Sequence, residues 1–209
     1  MRVAVVMVIL TVSDGELKVL LIQRSGPPYE GSWALPGGLL HEEESLAGAA
    51  ARKLVEETGV HDVYLEQLFS FDDLETDGGG HVAVTYFALV DARRVRLRAE
   101  TTWEPAWFAA GALPELAFNN RRVVDYALLR LRNKLEYTNV AYSLMSEAFT
   151  LSDLQSVYES IFARRFDKRN FRRRMLSREI IRSTGRHAAR GAHRPAELFE
   201  FTSRQPMVL

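Results

Sequence analysis

The chain has 209 residues, enough for one large domain or two small ones, and 47% are hydrophobic, so a sizeable core can form. It has no cysteine, which excludes disulfides, thiol nucleophiles and zinc–thiolate sites and fits a reducing cytoplasm. The formal net charge of +0 conceals two unlike halves: residues 1–120 carry 9 Lys and Arg against 18 Asp and Glu (net −9), and residues 121–209 carry 18 against 9 (net +9). An acidic half joined to a basic half points to two modules with different partners, the basic one suited to a polyanion.

The longest apolar run, Val3–Val12, is too short to span a bilayer. Arg2 precedes it, but "SDGEL" follows without a small-residue cleavage pattern, and β-branched residues dominate, so it reads as a buried strand. No membrane partner is expected. Leu17–Arg24 is a second strand after the turn signal "SDGE". "SGPPYEGSWALPGG" reads as a loop. Ser45–Thr58 reads as a helix with Leu46, Ala49, Ala50 and Leu54 on one face and Gly59 as its C-terminal cap. "VYLEQLFSF", "HVAVTYFALV" and "TTWEPAWFA" are further strand regions.

A boundary is expected near Asn119. Beyond it, Val123, Val124, Ala127, Leu128, Leu131 and Leu135 have helical spacing in a stretch without Gly or Pro, which predicts a connecting helix. Thr150 with Asp153 forms a variant capping box for a helix striped by Leu151, Leu154, Val157, Ile161 and Phe162. Asp167 caps a second helix that points Phe171 and Met175 inward. "REIIRSTG", a basic loop "RHAARGAHRP" and "AELFEF" follow. The order helix, turn, helix, strand, basic hairpin, strand is the layout of a winged helix-turn-helix.

Two stretches carry chemistry. In the first, Lys53, Glu56 and Glu57 share one helix face at i, i+3 and i+4. A face with three carboxylates suits Mg²⁺ or Mn²⁺. Here the first position is an ammonium, and exchanging −1 for +1 about 5 Å from a divalent ion costs several kcal/mol at an effective dielectric of about 20. The plain alternative is an i, i+4 ion pair between Lys53 and Glu57 on a solvated face. In the second stretch, Lys168, Arg169, Asn170, Arg172 and Arg173 line the second helix of the C-terminal pair. The hairpin beyond carries Arg186, His187, Arg190, His193 and Arg194. Arginines suit phosphates and guanine edges, so Lys168, Arg169, Asn170, Arg172, Arg173, Arg186, Arg190 and Arg194 are the candidate DNA-binding residues.

Gly38, Glu44, Arg52, Leu54, Glu56, Glu57, Gly59 and Val60 match the Nudix hydrolase signature, G-x5-E-x7-R-E-U-x-E-E-x-G-U, at every spacing. Lys53 is the one departure, standing where the family has Glu. Residues 1–118 thus resemble a Nudix domain, which implies a mixed sheet between helices. The resemblance also implies that Glu44 and Arg52 brace the loop–helix–loop and that Glu56 and Glu57 match metal ligands. The missing carboxylate is the family's natural base, so the fold carries over and the hydrolysis does not. The whole chain resembles the Nudix-related transcriptional regulators, the NrtR group. That likeness is carried by "LPELAFNN", "ALLRLRNKLEYTNVAYSLMSEAFTLSDLQSVYE", "DKRNFRRRML", "STG" and "HRPAELFEF".

The expectation is an α/β (α+β) Nudix fold over residues 1–118, with a connecting helix and a C-terminal winged helix-turn-helix domain over residues 119–209. The resemblance implies a dimeric, cytoplasmic regulator, in most members a repressor, of NAD metabolism or sugar catabolism. It implies as partners a double-stranded DNA operator, a small effector such as ADP-ribose, and a second copy of the chain. The loop "DDLETDGGGHV" is less basic than that of members binding ADP-ribose. Arg24, Trp33, Gly37 and Gly38 are the candidate ligand-binding residues: a cation for phosphate, an aromatic for stacking, and glycines for close backbone approach. No cofactor is required on this reading. The alternative is a metal-dependent pyrophosphohydrolase of ADP-ribose or another nucleoside diphosphate derivative, with Mg²⁺ on Glu56 and Glu57 as its metal and catalytic centre.

Overall fold

The computed structural model describes residues 2–61, 63–71, 81–97, 103–188 and 195–208. β1 (Arg2–Ser13) and β2 (Glu16–Arg24) form a hairpin turned by Asp14 and Gly15, whose φ values of 53° and 76° are the left-handed pair a tight hairpin turn needs. β1 also runs parallel to β6 (His81–Leu89), which pairs antiparallel with β5 (Tyr64–Phe71). β7 (Trp103–Ala109) lies antiparallel to β2. The segment expected to be entirely loop contains two short strands, β3 (Trp33–Ala34) against β2 and β4 (Gly37–Leu39) against β1. Together they form one mixed seven-stranded sheet.

Strand alternation divides the core between the two faces. Val5, Met7, Ile9, Leu20, Val84 and Ala88 pack beneath Ala49, Ala50 and Leu54 of α1 (Leu46–Thr58). Val8, Leu10, Val19, Leu21, Phe87 and Leu89 face the other way, toward α2 (Asn120–Tyr137). All six residues expected on the apolar face of α2 are buried.

In the second half, α3 (Leu151–Phe162) starts at Thr150 with both arms of the capping box formed, and α4 (Lys168–Ser177) starts at Asp167. β9 (Ile181–Ala188), β10 (Ala196–Phe201) and a third strand not anticipated from sequence, β8 (Phe149–Thr150), make a sheet in the order β8-β10-β9. Leu154, Ile161, Phe171, Met175 and Phe199 join the same buried cluster as α2 and the first sheet. The apolar core is therefore continuous from the Nudix-like sheet to the winged helix. Polar bonds fasten the same junction: Ser160 Oγ donates to the Gly15 carbonyl at 2.8 Å, and Arg132 Nε donates to the Ile161 carbonyl at 2.9 Å.

Candidate functional site

The loop–helix–loop is built by local chemistry. Ser45 caps α1 by accepting from Gly48 N at 3.0 Å, and Gly59 ends it at φ 68°, a conformation free of Cβ strain only for glycine. Arg52 reaches back from α1 and forks onto Glu44, with Nε and Nη2 each 2.9 Å from a carboxylate oxygen. That bidentate contact holds the Glu44 carboxyl at about 2, well below its usual 4.5, and raises the Arg52 guanidinium. The bracing pair implied by the family signature is present.

Arg52 Nη1 also donates to Glu56 Oε1 at 3.1 Å, and Lys53 Nζ lies 2.7 Å from Glu56 Oε2. Burial raises the Glu56 carboxyl, and the two cations together outweigh it, so its pKa is lowered overall. Glu57 is 1% exposed. Lys53 and Glu57 line an open cavity of about 290 Å³, with Ile22, Gly37 and the loop Arg24–Pro27 also on its walls. The Lys53 side chain is 12% exposed and passes close over Gly38, where an added Cβ would sit 2.9 Å from Lys53 Cε.

A Nudix hydrolase centre implies a divalent cation, and this donor set does not fit one. Both Glu56 oxygens are engaged by cations, and an ammonium lies where an ion on Glu56 Oε2 would have to sit. Among the described residues no group of three His, Asp or Glu is arranged to hold a metal.

The other candidate ligand residues are only partly brought together. Arg24 lines the cavity, but its guanidinium donates to the carbonyls of Pro28 at 2.8 Å and Pro27 at 3.3 Å and stacks 4.6 Å from the Phe118 ring. Gly37 lies at the cavity, and its close backbone approach is to Val5 of β1, whose carbonyl an added Cβ would meet at 2.9 Å. Trp33 packs edge-to-face on Phe108 at 4.7 Å, in the core layer and away from the cavity wall. "DDLETDGG" and the following Gly80 lie outside the described residues.

Sequence reasoning missed the joint that precedes α2. Phe118 and Asn119 have φ of 57° and 55°, a left-handed pair in which phenylalanine is strained. The Phe118 ring packs on Tyr29 at 4.9 Å as well as beneath Arg24, and Asn120 Oδ1 accepts from Leu35 N, between β3 and β4, at 2.8 Å. The walls of the cavity and the start of the helix leading to the second domain are thus in direct contact.

On α4, Lys168, Arg169, Asn170 and Arg173 are exposed, while Phe171 and Met175 are buried. Arg173 Nη2 donates to Asn170 Oδ1 at 3.0 Å. Arg172 leans toward the wing, 3.6 Å from Glu197 and over the Phe199 ring. Arg186 is exposed on β9. Arg190, His193 and Arg194 lie outside the described residues. Arg174, on the same helix, is tied to Glu136 of α2. A larger cleft of about 750 Å³ is lined by the β1–β2 turn and the end of α3, beside the Ser160–Gly15 contact; Glu159 on its wall is paired with Arg165, and the Nudix signature residues are elsewhere.

Residues 1–127 match the NUDIX domain family, and residues 141–201 match the NrtR DNA-binding winged helix domain. The ADPR responsive transcriptional repressor NtrR of Acinetobacter baylyi is 38% identical over 200 residues, covering 93% of this chain and 80% of that protein. The chain belongs to the Nudix family and, within it, to the NrtR regulators. Among solved structures, NrtR of Shewanella oneidensis in complex with a 27mer DNA matches with a TM-score of 0.84 at 33% identity, over 96% of this chain and 93% of that one. The NUDIX domain of the same Shewanella NrtR, in complex with ADP ribose, matches with a TM-score of 0.55 at 36% identity, over 62% of this chain and 87% of that one. The Nudix fold followed by a C-terminal winged helix is therefore the architecture of an NrtR regulator. Among the described residues no helix is long and apolar enough to cross a membrane.

Proposed function

We infer that the protein is an ADP-ribose-responsive DNA-binding repressor whose Nudix domain reads the metabolite and whose winged helix reads the operator. The observation that carries this is the joint one: a chain-long match to a DNA-bound NrtR, with Lys53 standing where hydrolysis needs a carboxylate. The regulated genes belong to NAD metabolism or sugar catabolism. The working unit is a homodimer, with two α4 helices entering half-sites about one DNA turn apart. Residues 1–118 sense the ligand, and residues 119–209 carry the DNA-binding module.

Coupling follows from the joint. A diphosphate drawing on Arg24 competes with the loop carbonyls and with Phe118, and Phe118 abuts α2. The ligand shifts operator affinity only by its differential affinity for the two arrangements of that joint. Phe118→Gly removes the ring and relieves the strain, so it is expected to bind ADP-ribose and operator while losing their mutual exclusion. Retained exclusion would place the coupling elsewhere. Sedimentation should return a dimer, and ADP-ribose incubated with Mg²⁺ or Mn²⁺ should remain intact. Turnover abolished by Glu57→Gln would restore the hydrolase reading.

A further inference from the structure

We propose that Lys53 is a built-in replacement for the divalent cation, making anion recognition in this Nudix cavity independent of metal. The inference rests on the ADP-ribose reading for the identity of the ligand, but not for the metal.

Charge and geometry support it together. Placing Lys where the signature has Glu changes the site by two positive charges, the charge one Mg²⁺ ion brings. The ammonium sits at the cavity wall, 2.7 Å from Glu56 and beside Glu57. Glu56, retained from the signature, acts as the counter-ion that holds the lysine in place, as a ligand would hold an ion. Arg52 occupies the other Glu56 oxygen, so Glu56 is clamped from both sides. The Lys53 stem runs across Gly38, where a side chain would obstruct it. Among the described residues the ionisable side chains on the cavity wall are then Arg24, Lys53 and Glu57, with a formal sum of +1. A diphosphate, carrying about two negative charges, meets net positive charge there without a metal. With Glu in place of Lys53 the same wall sums to −1, and an anion then needs a divalent ion to bridge it.

The test uses the full-length protein, its Lys53→Glu variant and its Lys53→Gln variant, each checked for a native circular-dichroism spectrum. Mn²⁺ uptake is read from loss of the free-ion electron paramagnetic resonance signal, without nucleotide. The parent and Lys53→Gln should leave the signal intact, and Lys53→Glu should take up one ion. ADP-ribose affinity is then read by calorimetry with Mn²⁺ and with EDTA. The parent should bind equally in both, Lys53→Gln should bind about tenfold more weakly in both, and Lys53→Glu should bind only with Mn²⁺. Stoichiometric Mn²⁺ uptake by the parent, or parent binding lost in EDTA, overturns the proposal. So does a Lys53→Gln variant that binds like the parent. If the parent ignores ADP-ribose under every condition, the effector assignment fails, and the Mn²⁺ readout alone decides for or against the built-in cation.

Discussion

α4 buries two side chains against the rest of the protein, Phe171 and Met175, beside the Arg174–Glu136 pair, so truncating the first should loosen the helix proposed to read DNA. Phe171 is 4% exposed, with its ring edge-on to Tyr158 at 5.3 Å and tilted against Phe166 at 5.9 Å. Burying such a ring contributes about 2–3 kcal/mol, and each aromatic pair adds about 0.5–1.5 kcal/mol. The expected cost of Phe171→Ala is therefore about 4 kcal/mol, in line with other large-to-small aromatic truncations. At about 2–4 °C per kcal/mol for a chain of this size, the unfolding midpoint should fall by about 10 °C. A ten-residue helix does not persist alone, so operator affinity should drop at least about tenfold while ADP-ribose still binds. Phe171→Leu keeps most of the volume and should cost only about 1.5 kcal/mol. Calorimetric unfolding, operator titration and ligand titration on the three proteins provide the comparison. An alanine variant with the parent's midpoint and operator affinity would refute the account of how α4 is anchored.

Other outcomes follow from the same contacts. Arg173→Ala should weaken operator binding about tenfold and reduce the salt slope by about 1. Arg172→Ala, whose guanidinium is shared with Glu197 and Phe199, should have the smaller effect in the same salt titration. Glu44 and Glu159 both have carboxyls lowered from 4.5 to about 2, by Arg52 in the first case and by Gln155, the Phe166 amide and Arg165 in the second. Folding thus favours their charged forms, and that stabilisation is complete above pH 4.5 and lost as pH falls toward 2. Thermal midpoints should decline across that window, and less steeply for Glu44→Gln. Glu66 of β5 accepts from Arg130 at 3.1 Å and pairs with Lys134 at 2.6 Å, joining the Nudix sheet to α2. Glu66→Gln should leave two cations facing each other and cost about 1–3 kcal/mol by denaturant titration.

What was legible in the sequence was what depends on local spacing. The signature from Gly38 to Val60, the α2 stripe and the Thr150–Asp153 box are periodic or short-range, and their geometry follows from the backbone alone. The strands β3, β4 and β8 were not legible, because two or three residues, amid Pro and Gly in β3 and β4 and just before a helix in β8, become strands only through the partners the fold brings to them. Tyr158 fell outside the expected stripe of α3 yet is buried, since α4 closes over it through Phe171. Around the cavity at Lys53, sequence identified residue types but not their commitments. Nothing in "QRSGPP" reveals that the Arg24 guanidinium is held by its own loop, or in "GSWALP" that Trp33 turns into the core. The left-handed Phe118 is likewise set by its tertiary neighbours, against its own preference.

On the proposed function, one chain reads a metabolite and DNA in mutual exclusion. Its most direct test is a gel shift of the protein's own upstream DNA at low salt, with and without ADP-ribose. A discrete complex should form and dissolve on addition of ADP-ribose, in EDTA as readily as in Mg²⁺. A complex indifferent to ADP-ribose, or no complex at all, would contradict it.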